Sequence, residues 1–143
     1  MKIFLVTSSL FKLYHKEVDS SKIKQIFDDN IITTVFLSEI TKIEFVSTVW
    51  KKVRAQQMSV LQANIVTDLF ESDSYKYTFI LTDSLIQKQA KGLVTKYGQK
   101  GLRTLDSIQF VTAISLRNYA SRFITSDKML DSFFGLESLP TVK

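Results

Sequence analysis

Lys2-Ile3-Phe4-Leu5-Val6-Thr7-Ser8-Ser9 is the stretch whose reading decides the fold. Lys2 to Val6 reads as a buried strand, and Ser8 or Ser9 then caps a short helix running to about Lys16. The apolar patch is too short for the core of a signal peptide and lacks a cleavage pattern, so the strand reading stands.

Working outward, the same alternation recurs. Ser20-Ser21 starts a helix over Lys22 to Asp29, with Ile23, Ile26 and Phe27 on one face, and Asn30 stops it. Ile31 to Val35 is β-branched and strand-like. Ser38 opens the longest helix, to about Gln56, with an apolar stripe of Ile40, Ile43, Val46, Trp50 and Val53. Lys51, Lys52 and Arg54 load its last turns with positive charge, as the helix dipole favours. A helix from Ser59 to about Phe70 follows, then a strand over Tyr75 to Leu81. Thr82 begins a helix ending near Tyr97-Gly98, and Arg103 to Tyr119 forms another. Arg122 to Thr125 is a short strand, Asp127 to Phe134 a helix halted by Gly135, and Leu139 to Val142 a last edge strand.

Strands alternating with helices imply an α/β protein with a mainly parallel sheet covered on both faces. In such sheets, sites gather outside the carboxyl ends of the strands. With four glycines, one proline and no internal repeat, residues 1–143 read as one domain with short connections.

Composition narrows the chemistry. No cysteine is present, which excludes disulfides, thiolate metal sites and a cysteine nucleophile, and is compatible with a cytoplasmic protein. His15 is the only histidine, so no histidine pair for zinc or for acid/base catalysis can be built within one chain; it reads as a solvated surface residue. No apolar run is long enough to cross a bilayer. The net charge of +5 suits attraction to a polyanion, and equally serves solubility.

Three acids stand out by position. Glu44 lies at the border of the long helix's apolar stripe; Asp106 shares a face with Leu102, Phe110 and Ala113; Asp127 directly follows the strand ending at Thr125. Singly, Asp127 could cap its helix, Glu44 could pair with Lys42 or Arg117, and Asp106 could accept bonds from a helix terminus. Together they could share a hard cation such as Mg²⁺ or Mn²⁺, which takes oxygen ligands. Tyr75 and Tyr77 flank Lys76 in a pattern superficially like a base-stacking platform, though an edge strand explains it as well. No glycine-rich phosphate loop is present.

Ile3 to Tyr14 resembles the opening of PIN-domain ribonuclease toxins of the VapC type, in which a strand ends in Asp-Thr-Ser-Ala-Leu and a helix continues toward Lys-Leu-Tyr. Leu102 to Ala113 resembles that family's Leu-Asp-Ala segment, Phe123 to Leu130 its Thr-x-Asp-x-x-Leu segment, and Glu44 stands where the family has a helical glutamate. The resemblance implies a three-layer α/β/α sandwich and metal-dependent endoribonuclease activity on RNA, in a homodimer restrained by a cognate antitoxin. It implies Glu44, Asp106 and Asp127 as catalytic residues around Mg²⁺ or Mn²⁺, with Thr7, Ser8 and Thr125 orienting the carboxylates or a bound water. Lys12 and Arg103 are the phosphate contacts it suggests.

The departure is Val6, where the family carries its first catalytic aspartate; valine can neither hold a metal nor activate water. An Asp codon becomes a Val codon by one base change, so a change that relieves toxicity is one explanation. A degenerate member that keeps the fold and binds an antitoxin or RNA is the other. A nuclease acting on DNA flaps is a third functional reading, against which the short chain argues.

Overall fold

The side-chain alternation of the first strand sets the layers. In the computed structural model, which describes residues 1–141, β1 spans Lys2–Leu5. Successive strand residues face opposite ways, so Ile3 and Leu5 enter one core while Phe4 and Val6 enter another. With β2 (Thr34–Ser38), β3 (Thr78–Ile80) and β4 (Arg122–Ile124), β1 forms a four-stranded sheet of order β3-β2-β1-β4 in which every neighbouring pair is parallel.

The first core also takes Val35, Leu37 and Ile124 from the sheet. It is covered by α1 (Thr7–Phe11), α2 (Ser20–Asp29), α3 (Thr41–Arg54) and α4 (Val60–Asp73), which contribute Leu10, Phe11, Ile23, Phe45, Val49, Val66 and Phe70. Phe45 stacks on Phe70 with ring centres 4.2 Å apart, and Phe11 and Tyr14 each lean on Phe45 at 5.4 Å. Each fully buried ring of this kind stabilises the fold by about 1.5–3 kcal/mol relative to exposure. On the other face, Phe4 and Phe123 meet α5 (Ser84–Tyr97), α6 (Thr104–Ser115) and α7 (Lys128–Leu136) through Tyr97, Phe110, Ala113, Phe133 and Phe134. The result is the three-layer α/β/α sandwich with a parallel sheet.

Several local readings change. The second strand starts at Thr34, not Ile31, because the register Lys2↔Thr34 leaves earlier residues no partner on β1; Ile31 is 85% exposed. Ser38 ends β2 and is buried; its hydroxyl accepts the Ile40 amide at 3.3 Å, so it closes a turn instead of capping α3. The buried face of α3 is Thr41, Phe45 and Val49, one helical turn apart, which leaves Ile43 74% exposed. Neither Ser8 nor Ser9 caps α1, whose preceding residue is Val6; their hydroxyls bond to the β4–α7 connection instead. The third strand shortens to three residues because Ser74–Lys76 forms a 3₁₀ turn. Helix α7 runs through Gly135, and the chain turns at Ser138 with φ 57°. Thr141 and the residues before it make no fifth strand, although the Phe123 amide bonds the Pro140 carbonyl at 2.8 Å; Val142 lies outside the described residues.

Candidate active site

From β1 the chain moves to β2 and β3 on one side and returns to β4 on the other, so the carboxyl ends of β1 and β4 part. Such a switch point is where parallel sheets place ligands. A pocket of about 670 Å³ opens there, and Val6, Thr7, Ser8, Glu44, Asp106, Gln109 and Asp127 line it. Three elements bring the acids: Glu44 from the first turn of α3, Asp106 from the first turn of α6, and Asp127 from the residue before α7. Helix N-termini favour negative charge, which offsets part of the repulsion among them.

Glu44 is the most firmly held. Its Oε1 accepts from the Thr7 hydroxyl at 2.9 Å and from Gln109 Nε2 at 2.7 Å. Gln109 Nε2 also lies 3.1 Å from Thr41 Oγ1, and Thr7 Oγ1 lies at the same distance from it, so two helices and the β1–α1 junction meet in one polar knot. Burial pushes the Glu44 carboxyl above its ordinary range; the bonds from Gln109 and Thr7 oppose this, and the negative charge of Asp106 adds to it. Burial likewise raises Asp106, with Asp127 adding to the rise and Arg103 opposing it. Desolvation outranks mutual repulsion in both cases.

Asp127 does two things at once. Its Oδ1 accepts the amides of Met129 and Leu130 at 2.9 and 3.1 Å, a helix cap, while the residue lines the pocket. Ser8 and Thr125 order the backbone beneath it: Ser8 Oγ accepts the Ser126 amide at 3.1 Å, and Thr125 Oγ1 accepts the Asp127 amide at the same distance. Of the three hydroxyl residues expected to orient the carboxylates or a bound water, Thr7 bonds a carboxylate, while Ser8 and Thr125 bond the backbone at Ser126 and Asp127.

Lys12 lines the pocket, as do Lys51 and Lys52, the latter paired with Glu17 at 2.6 Å. Arg103 is exposed and lies off the lining. Lys42 sits over the Phe79 ring at 4.5 Å and Arg117 bonds the Glu137 carbonyl at 2.7 Å, so neither pairs with Glu44. His15 is half-buried against Phe11, and Tyr77 bonds Tyr14 while Tyr75 is exposed, so no stacking platform forms.

Hard carboxylate oxygens around a solvent-open pocket suit Mg²⁺ or Mn²⁺ in kind. They do not form a closed cage: among the described residues, no group of three or more His, Asp or Glu is placed to hold an ion, so a cation here would take one or two carboxylates directly and fill its other positions with water or phosphate oxygens, as Mg²⁺ commonly does. Val6, 6% exposed, supplies no side-chain oxygen at this lining, and its carbonyl is taken by the Ser9 and Leu10 amides.

Sequence reading missed Gln109 and Thr41, both fully buried, and took Lys51 and Lys52 for dipole compensation alone. The available signal for Gln109 was an amide three residues after Asp106, among the apolar residues of α6.

The family model for the PIN domain matches residues 3–133. No curated protein sequence matches. Similar solved structures include the Mycobacterium tuberculosis VapC20 toxin, which cleaves the sarcin-ricin loop (TM-score 0.71, 12% identity, 92% of this chain and 94% of that one). They include Rickettsia felis VapBC2 bound to a DNA fragment from its promoter (0.64, 20%, 99% and 98%). FitAcB from Neisseria gonorrhoeae is a third (0.67, 18%, 99% and 96%). Among the described residues, no helix is long and apolar enough to cross a membrane.

Proposed function

The chain belongs to the PIN domain family, and from that premise we propose that it is a metal-dependent endoribonuclease toxin of a toxin–antitoxin pair, weakened by Val6. The observation that carries this reading is the shared pocket: Glu44, Asp106 and Asp127 line one cavity with Val6 at the β1–β4 switch point. In this reading those three acids are the catalytic residues and would hold Mg²⁺ or Mn²⁺, in part through the ion's bound waters. When bound, the cation supplies water activation and charge neutralisation at the scissile phosphate. Thr7 fixes Glu44, Ser8 and Thr125 fix the loop that carries Asp127, and Lys12 with Lys51 draws the RNA backbone to the pocket mouth. Arg103 contributes by its charge near Asp106.

Partners follow from the same reading. One of the similar structures is a VapBC assembly, which supports a cognate antitoxin for this chain. A second cavity, of about 740 Å³, lies between α2 and β4 and shares Ser126 and Asp127 with the lining of the acidic pocket. An antitoxin segment there would lay apolar residues on Ile23, Ile26 and Ile124 and direct a basic side chain at the acids. A homodimer is supported by α4, which buries Ala63, Val66 and Phe70 yet leaves Leu61, Ile65 and Leu69 at least 49% exposed on its outer face. A helix apolar on both faces is normally covered. Residues 1–143 form one PIN-like unit in this reading, acting in the cytoplasm where RNA is met.

Val6 also favours a second reading, a non-catalytic PIN-fold module that binds an antitoxin or RNA. RNA cleavage by this chain and by Val6→Asp, with Mg²⁺ or Mn²⁺, separates the two.

A further inference from the structure

Gln109 is an expensive residue for its position. It is 1% exposed on α6, next to Phe110 and Val111, and its Oε1 is buried with no hydrogen-bond partner. A buried amide oxygen left unpaired destabilises a fold, and an apolar side chain would fill the same space without that penalty. What the amide does accomplish lies on its other side. Nε2 reaches Glu44 Oε1 at 2.7 Å and Thr41 Oγ1 at 3.1 Å, and the Thr7 hydroxyl reaches the same Glu44 oxygen at 2.9 Å.

Two donors converging on one carboxylate oxygen fix the plane of the group. They also occupy Oε1, which leaves Oε2 as the oxygen for the pocket. We propose that Gln109 is a positioning residue: with Thr7 it clamps Glu44 Oε1 and so presents the second oxygen of that carboxylate to a divalent cation. The proposal rests on the reading of this pocket as a cation site, and it assigns Gln109 no contact with the cation or with substrate.

The fold explains why position 109 can do this. Asp106 and Gln109 are three residues apart on one helix, so they lie on neighbouring parts of one face. The helix that delivers one acid to the pocket therefore also delivers the clamp for another. Thr41, fully buried at the start of α3, buttresses the amide from below, so the clamp spans α6, α3 and the β1–α1 junction.

The test uses the full chain and its Val6→Asp form, each with Gln109→Met, which keeps the volume and removes the donor, and with Gln109→Asn, which keeps an amide but shortens its reach. Two readouts are taken: Mn²⁺ affinity by calorimetry, and the side-chain carboxyl carbon resonance of Glu44 in glutamate-labelled protein without metal, assigned by its loss in Glu44→Gln. Both Gln109 substitutions should weaken Mn²⁺ binding by about tenfold or more, the scale expected when the support of a metal ligand is lost, and both should shift the Glu44 resonance. A Glu44 resonance unmoved by both substitutions overturns the proposal. So does unchanged Mn²⁺ affinity in folded variants. If Mn²⁺ binds neither parent form, the cation reading of the pocket and the proposal's cation step both fall, while a shifted resonance still establishes the clamp on Glu44.

Discussion

The Val6 amide donates to the Ile124 carbonyl at 2.9 Å, which closes the β1–β4 ladder at the lip of the acidic pocket. Main-chain bonds therefore fix position 6, and a substitution such as Val6→Asp keeps the amide that makes them. Val6→Asp should fold, yet without divalent ions it should lose stability on the order of 1–3 kcal/mol, as a polar group replaces buried apolar surface beside other acids. Mn²⁺ at a hundred times its Kd should return about 2.7 kcal/mol. Thermal unfolding in chelator and in Mn²⁺ reads both effects; equal stability of the two proteins in chelator, with no response to Mn²⁺, contradicts the placement.

The raised carboxyls of Glu44 and Asp106 imply a pH dependence. Above the unfolded values, about 3.9 for Asp and 4.3 for Glu, the folded state binds more protons than the unfolded chain. Stability from these two groups is therefore fully present below those values and is lost as pH rises through the raised folded ones. Asp106→Asn removes its share, so the variant should gain on the parent in metal-free Tm as pH rises from about 4 to about 7. A difference in Tm that stays constant across that range would contradict this.

Asp127 carries two roles that substitution can separate. Serine is also a good helix cap, so Asp127→Ser should change stability by only a few tenths of a kcal/mol, whereas Asp127→Ala should cost about 1 kcal/mol. Both should lose Mn²⁺ affinity, since neither keeps the carboxylate. Urea unfolding together with calorimetry checks this; equal losses of stability in the two variants would mean that Oδ1 is not the cap.

The outer face of α4 gives a fourth test. Ile65→Glu places a charge at the middle of the exposed stripe formed with Leu61 and Leu69. Because the stripe is solvent-facing in the single chain, the substitution should leave the fold within about 0.5 kcal/mol while converting a dimer to a monomer in light scattering. A parent that is monomeric at high concentration removes the support for this surface.

How far the sequence reveals this site follows from its physics. The parallel sheet was legible because strands alternate with helices along the chain, and Ile3, Phe4 and Leu5, buried on both faces of β1, carry the continuous apolar run that such a strand needs. Strand ends were less legible: β2 begins where its register with Lys2 begins, a tertiary fact that the β-branched run at Ile31 cannot carry. Glu44 and Asp106 stood out as acids at the borders of apolar faces, and the pocket contains both. Gln109 did not, because an amide inside an apolar helix has no meaning until the Glu44 carboxylate is brought to it. The cap at Asp127 and its place in the pocket were read as alternatives, and the geometry makes them simultaneous.

The account turns on the claim that position 6 is the missing ligand of the pocket lined by Glu44, Asp106 and Asp127, and a paired RNA cleavage assay tests it most directly. Parent and Val6→Asp are compared on structured RNA with Mg²⁺ or Mn²⁺, with Asp106→Asn in the Val6→Asp background as control. Holding a cation in place can supply several kcal/mol of transition-state stabilisation, so Val6→Asp should raise the rate by about a hundredfold or more, and Asp106→Asn should abolish the gain. A Val6→Asp protein that is folded, binds Mn²⁺ and cleaves RNA no faster than the parent would contradict the claim.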